Sequence, residues 1–245
     1  MCYHYSINKT AGEISERYKT DMRPPQINPD PVFYHVNGFT FDSLPVVYKN
    51  NETNQLKLEF MQWGLVPGWV KGEEKAREIR SLTLNARSET VGSKPSFRAA
   101  FRYRPCLVPA TGYFEWMHKD GKKYPFLIHL PDEPCFSFAG IWEEWINEAT
   151  GEILRSFSIL TCEANSLTAK IHNTKKRMPV ILEREDEGKW ISAGHESGVA
   201  ERNQLLKPFD AERMDAYSIG RLISSRSLES NVPGVLEPVT YPELN

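Results

Sequence analysis

The chain has 245 residues, 40% of them hydrophobic and 25% charged, which supplies enough apolar material for a core and excludes general disorder. Basic and acidic side chains nearly cancel, 30 against 32, so the overall field does not attract nucleic acid and any such site must be a local patch. No apolar run approaches bilayer-spanning length and the start, MCYHYSINKT, lacks the basic, apolar, small-residue order of a secretory signal, so the expectation is a cytoplasmic protein with no membrane partner.

Taken in chain order, residues 11–30 begin with helix-compatible letters and then break in RPPQINPDP, where Pro24, Pro25, Pro29 and Pro31 forbid regular helix. Runs rich in aromatic and β-branched residues predict strands over 44–48, 56–63, 111–118, 124–130, 135–145 and 154–162. Two hairpins follow from turn chemistry, one at 118–122 around Asp120-Gly121 and one at 147–151 ending in Gly151. Helices are predicted over 84–91, 163–172 and 185–193, the last opened by acidic residues that suit a helix N-terminus. No repeat or Gly/Ser linker divides the chain. The expected fold is α+β, a single domain over 1–245 with a largely antiparallel, barrel-like sheet and peripheral helices. Cys2, Cys106, Cys135 and Cys162 show no C-x-x-C spacing, so neither a zinc site nor a disulfide framework is expected, and no cofactor.

Cys2 is the most informative letter. Loss of the initiator Met is expected before a small residue, and it leaves an amine and a thiol on one residue. Such a pair condenses with an aldehyde through nitrogen and closes through sulfur into a five-membered thiazolidine. An α-amine titrates near about 8 and a thiol near about 8.5, so both nucleophiles are present at neutral pH. The bland reading of Cys2, a small apolar residue in a buried first strand, stays open.

Further words stand in a fixed order: Trp63-Gly64-Leu65-Val66-Pro67-Gly68-Trp69, Asn85-Ala86-Arg87-Ser88-Glu89-Thr90, Phe97-Arg98, Arg104-Pro105-Cys106-Leu107-Val108-Pro109 and Gly112-Tyr113-Phe114-Glu115-Trp116. Thr161, Ala164-Asn165, Ile171-His172 and Arg177-Met178-Pro179-Val180-Ile181-Leu182 complete the series. With Met1-Cys2 these resemble the SOS-response-associated peptidase family, the SRAP domain, over residues 2–182 and faintly beyond. The resemblance implies an SRAP-type α+β domain, covalent crosslinking to abasic sites in single-stranded DNA, and an autocatalytic peptidase step that frees the cysteine. It implies Cys2 as nucleophile, Glu115 as catalytic carboxylate, His172 as active-site histidine, and Asn85 and Arg87 as the pair fixing the terminal residue and a DNA phosphate. Trp63, Trp116 and Thr161 fall where the family lines its DNA groove, and Arg177 and His4 join them as candidate DNA contacts. The expected partner is single-stranded DNA carrying abasic sites, bound by a monomer without metal.

The chemistry fits these roles. A Glu between Phe114 and Trp116 is partly desolvated, which raises its pKa, and His172 titrates near neutrality. Glu115 is assigned to activating the amine, His172 to opening the sugar. Competing readings remain: Glu115 satisfied by Arg98, His172 capping its helix, Trp63 and Trp116 as core aromatics, and the arginines as solvated surface. Three departures stand out. The family's Cys-Gly-Arg start is Cys2-Tyr3-His4 here, which makes the neighbouring contact titratable. Tyr34 to Phe39 replaces a Tyr-Asn and Ala-Pro turn, and four residues, Asn173 to Lys176, separate His172 from Arg177. A thiol peptidase acting on other proteins and a non-covalent nucleic-acid binder are the rival functions. An exposed chain end is a poor place for an oxyanion hole, and a pure binder leaves the position of Cys2 unexplained.

Overall fold

A computed structural model describes residues 2–22, 31–50, 52–192, 196–225 and 229–244. Its strands are β1 His4–Ile7, β2 Asp21–Met22, β3 Phe33–Asn37, β4 Ser43–Lys49, β5 Leu56–Trp63, β6 Asn85–Arg87, β7 Pro105–Ala110, β8 Gly112–Lys119, β9 Lys122–His129, β10 Phe136–Ile146, β11 Ile153–Glu163, β12 Arg177–Pro179, β13 Ile181–Leu182 and β14 Asp215–Ser218. Its α-helices are α1 Ala11–Tyr18, α2 Glu73–Arg80, α3 Arg98–Tyr103, α4 Ser166–Ile171, α5 Glu187–Ile191 and α6 Glu196–Leu205.

Strands β5, β4, β7, β10 and β11 pair in that order, and β11 returns to β5, closing a five-stranded barrel. An odd ring cannot alternate direction all the way round. The one parallel junction falls between β11 and β5, where Ser156 and Phe157 face Gln62 and Trp63. Closure removes the edges that an open sheet would expose. Against the barrel lies an open five-stranded sheet in the order β14-β9-β8-β1-β3. Its two faces differ by strand alternation. Tyr5 and Tyr113 point to the main core, where Tyr5 meets the rings of Trp63 and Phe138. Phe114 and Leu127 point the other way, into a second cluster with Ile219, Ile223 and Val235. The C-terminal segment therefore covers the outer face of this sheet.

The predicted hairpins form as expected. Asp120 and Gly121 both have positive φ, 51° and 74°, between paired Lys119 and Lys122. Three expectations need correction. Residues 84–91 are not a helix: Asn85–Arg87 is a strand that pairs in parallel with β11, because burying Leu84 and Ala86 against the barrel outweighs local propensity. The second helix begins only at Ser166, since β11 runs on through Glu163 and Asn165 caps the helix by accepting from the Thr168 amide at 2.9 Å. The third splits into a 3-10 turn, Arg184–Asp186, and α5, and its expected end at Ala193 lies outside the described residues. Three of the prolines expected to break the first helix, Pro24, Pro25 and Pro29, also lie outside them. The helix itself stops at Lys19, whose φ is 53°.

Candidate active site

The site is built where the two sheets meet at the head of β1. Cys2 precedes that strand and has no exposed surface in the 245-residue chain. Its backbone carbonyl accepts a hydrogen bond from Asn85 Nδ2 at 2.8 Å, and its thiol lies 3.4 Å from the His4 carbonyl. Asn85 is delivered by β6, so the strand misread as a helix supplies the clamp. Arg87, two residues on and therefore on the same side of β6, is exposed beside it.

Glu115 comes from β8. The pairing of Tyr5 with Tyr113 sets the register, and continued by two residues it brings Tyr3 across from Glu115. Glu115 and His172 are 5% and 6% exposed, with Oε1 and Nδ1 3.3 Å apart. The two side chains touch without a hydrogen bond, because the Nδ1 proton goes to the Arg177 carbonyl at 2.9 Å. Glu115 Oε1 consequently has no hydrogen-bond partner among the described residues, and neither has Asn85 Oδ1. An unpaired buried acceptor costs about 1–3 kcal/mol, so two of them around one cysteine mark a site built for donors the fold itself does not supply.

Burial sets the protonation states. It pushes the Glu115 carboxyl up to about 8 and the His172 imidazole down to about 4. At pH 7 the carboxyl carries its proton and the imidazole is neutral, with Nδ1–H committed to Arg177 and the Nε2 lone pair open. Burial, reinforced by Glu115, holds the Cys2 thiol well above its usual range, so the thiol is protonated too. His172 also ends α4, its amide donating to the Thr168 carbonyl at 2.7 Å. The helix-cap and active-site readings of this residue thus coincide. The four-residue spacer after it is a tight turn: Lys176 has φ 49°, and Asn173 binds both the amide and the carbonyl of His118 on β8, at 3.1 and 2.8 Å. That docking fixes His172 against the strand that carries Glu115.

The other residues singled out from the sequence divide. Trp63 has no exposed surface for stacking on a base; its indole donates to the Leu84 carbonyl at 2.8 Å and its ring packs on Tyr5 and Phe157. It is the floor under Asn85, not a groove wall. Thr161 is fully buried as well, and its carbonyl accepts from the Arg177 guanidinium at 2.6 Å. Arg177 is further engaged by both oxygens of Glu89, so its charge is already answered. His4 and Trp116 share the outer face of the open sheet, opposite the Glu115 face, with rings 4.9 Å apart. Trp116 is half-buried and donates to Ser224 Oγ at 3.1 Å. His4 Nδ1 bonds His35 Nε2 at 2.8 Å, and burial and His35 push its pKa down to about 3, so it is no cationic contact near neutral pH. Arg98 lies on α3, lining a cleft with Arg102 and Tyr103, and makes no ion pair with Glu115, whose Oε1 lies by His172 instead. Two aromatics that the sequence words contain but to which no site role was given, Phe39 and Trp69, are 49% and 59% exposed. Phe39 carried a signal, an aromatic in an otherwise polar Asn-Gly-Phe-Thr turn.

Among the described residues no group of three or more His, Cys, Asp or Glu side chains is arranged to hold a metal ion, and no helix is long and apolar enough to cross a membrane.

Barrel, open sheet and polar cluster define an α+β protein with buried polar side chains gathered near its second residue. The family model described as SOS response associated peptidase (SRAP) matches residues 1–226, and the chain belongs to that family. It is 32% identical over 238 residues to the Abasic site processing protein YoqW of Bacillus subtilis (strain 168), a match covering 97% of this chain and 99% of the relative. It is 29% identical over 213 residues to the Abasic site processing protein HMCES of Gallus gallus, covering 79% and 61% of the two chains. A crystal structure of a Bacteroides thetaiotaomicron protein superposes with a TM-score of 0.89 at 42% identity, over 98% of this chain and all of the other.

Proposed function

We propose that this chain processes abasic sites in single-stranded DNA by forming a covalent crosslink through Cys2 after Met1 has been removed. The observation that carries the reading is the pair of partnerless buried acceptors, Asn85 Oδ1 and Glu115 Oε1, around Cys2, whose carbonyl Asn85 Nδ2 holds. Removing Met1 gives Cys2 a new set of N–H donors. The names of the relatives point to the same substrate.

Chemically, the ring oxygen of the closed abasic sugar takes a proton as the ring opens to the aldehyde. The Cys2 amine adds to C1′, water leaves and a C=N bond forms. The thiol then adds across that bond, sulfur to carbon and proton to nitrogen, giving a thiazolidine; the sum is protein plus strand minus one water. The burial shifts exchange the roles expected from sequence. Protonated Glu115 serves as the acid at the sugar, and neutral His172 accepts the proton released by the amine.

The test is a denaturing gel of protein incubated with abasic or intact single strands. Wild type gives a denaturation-resistant adduct with the abasic strand alone, whereas Cys2→Ala and a form with one extra residue before Cys2 give none. An equal adduct from Cys2→Ala would overturn the reading, and salt-sensitive binding without any adduct would leave a non-covalent binder.

A further inference from the structure

We propose that Phe39 and Tyr3 form a stacking platform for the nucleobase next to the damaged sugar, so that capture depends on the base flanking the lesion. This rests on the reading of Cys2 as the capturing residue.

The geometry begins with register. His4 pairs with Asn37 and the Gly38 amide donates to the Tyr3 carbonyl at 2.8 Å, so the following residue, Phe39, comes off on the Cys2 side of β1. The two rings meet, with centroids 5.0 Å apart and planes at 42°. Tyr3 is half-buried, while Phe39 leaves half its surface to solvent.

An exposed aromatic on a slack loop would say little. This loop is held tight. Asn37 Oδ1 accepts from the Phe39 amide at 3.1 Å, and Thr40 Oγ1 lies 2.6 Å from both the Asn37 carbonyl and Asp42 Oδ2, with one proton to donate to either. Phe41 turns the chain with φ 57° beneath the Arg80 guanidinium, 4.3 Å from its ring centre. Gly38 sits so close to Trp63 that a Cβ there would lie 3.1 Å from the indole. The fold thus holds a half-exposed apolar ring in one place against Tyr3, at the head of β1 where Cys2 lies, open to stacking by a flat partner.

Charge names the partner. Arg87 is exposed two residues along β6 from Asn85, which holds the Cys2 carbonyl, so a guanidinium stands on the Cys2 side of that strand. A flat apolar ring against a phenol, with a guanidinium exposed beyond the clamp on the Cys2 carbonyl, matches one nucleotide, base on ring and phosphate on Arg87. Every base has a π face, so the platform favours large bases over small ones without reading their edges.

The experiment uses a single strand with a tetrahydrofuran abasic analogue, which has no aldehyde, and 2-aminopurine on its 5′ or 3′ side. Wild type should quench the fluorescence saturably at one of the two positions. Phe39→Ala should lose that quench at least fivefold in affinity, and Phe39→Tyr should keep it. Because Phe39 is exposed, matched thermal melts will show that the variants fold. Quenching at neither position, equal quenching at both, or an unchanged Phe39→Ala titration overturns the platform. In parallel, true abasic strands with a purine or no base at the sensitive position should differ about tenfold in crosslinking rate with wild type and not with Phe39→Ala. A normal Cys2 adduct with no base dependence removes the platform alone; quenching without any adduct keeps the platform and removes the covalent reading.

Discussion

The two faces of the open sheet carry neighbouring letters of the same strands to opposite ends. On the inner face, Glu115 lies by Cys2 with a partnerless oxygen, and the Asn85 clamp holds a second one. On the outer face, every polar atom of interest is engaged: His4 bonds His35, His35 Nδ1 meets Ser230 Oγ at 2.6 Å, Trp116 bonds Ser224, and Asn231 Oδ1 accepts the Tyr34 amide at 2.7 Å. A Ser230 hydroxyl donating to His35, and His35 to His4, satisfies this chain with both rings neutral. The difference teaches that a histidine or tryptophan beside a nucleophile in sequence is beside it in space only if strand alternation agrees. One face keeps buried oxygens without partners, and the other is closed by the C-terminal segment.

The largest effect should come from the inner face. Glu115→Gln should slow adduct formation by roughly 10²–10⁴ while leaving the strand bound, measured by single-turnover gel assay. An unchanged rate would move the acid elsewhere. The same variant probes stability. Because the folded carboxyl titrates near 8 against 4.5 when free, the fold binds a proton the unfolded chain does not, so stability should fall as pH rises from about 4.5 to about 8, and Gln should flatten that slope.

Next in size is the floor between the faces. Trp63→Ala should cost roughly 3–5 kcal/mol in urea unfolding, as expected for deleting a fully buried indole. A stable fold with weakened DNA affinity would instead put Trp63 in the groove.

On the closed face the sign reverses. Burial pushes His4 down to about 3 and His35 down to about 4, so the unfolded chain takes up protons first, and stability should decline as pH falls from about 6.5 towards 4. His35→Gln should blunt this loss in urea midpoints at pH 7 and 4.5 and change the crosslinking rate at pH 7 less than twofold. A rate loss at unchanged stability would show that the outer histidines take part in chemistry. Smallest of all, Arg87→Ala should lower the log-log salt slope of single-strand binding by about 0.7, the share of one phosphate. An identical slope would leave Arg87 as solvated surface.

Much of this was legible in the letters. The barrel strands with aromatic and β-branched runs and the Asp120-Gly121 turn declare themselves, and Cys2, Asn85, Glu115 and His172, all named from the sequence, lie in contact as the pairs Cys2–Asn85 and Glu115–His172. What stayed hidden depends on partners distant in sequence. Strand β7 drew no strand prediction, yet its Pro105 and Pro109 sit opposite β10 inside the closed barrel. The segment 85–87 takes its conformation from β11 and not from its own propensity. Which tryptophan is floor and which aromatic is surface cannot be told from composition, since Trp63 and Phe39 differ only in what packs over them. The proton states of Glu115 and His172 follow from burial, which a linear chain does not reveal.

The central claim is best tested by intact mass of the purified chain before and after incubation with an abasic single strand, followed by peptide mapping. The account predicts a chain lacking Met1, then a species heavier by the strand less one water, with the modification on Cys2. A chain that keeps Met1 and still gains the strand, or an adduct mapped to another residue, would contradict it.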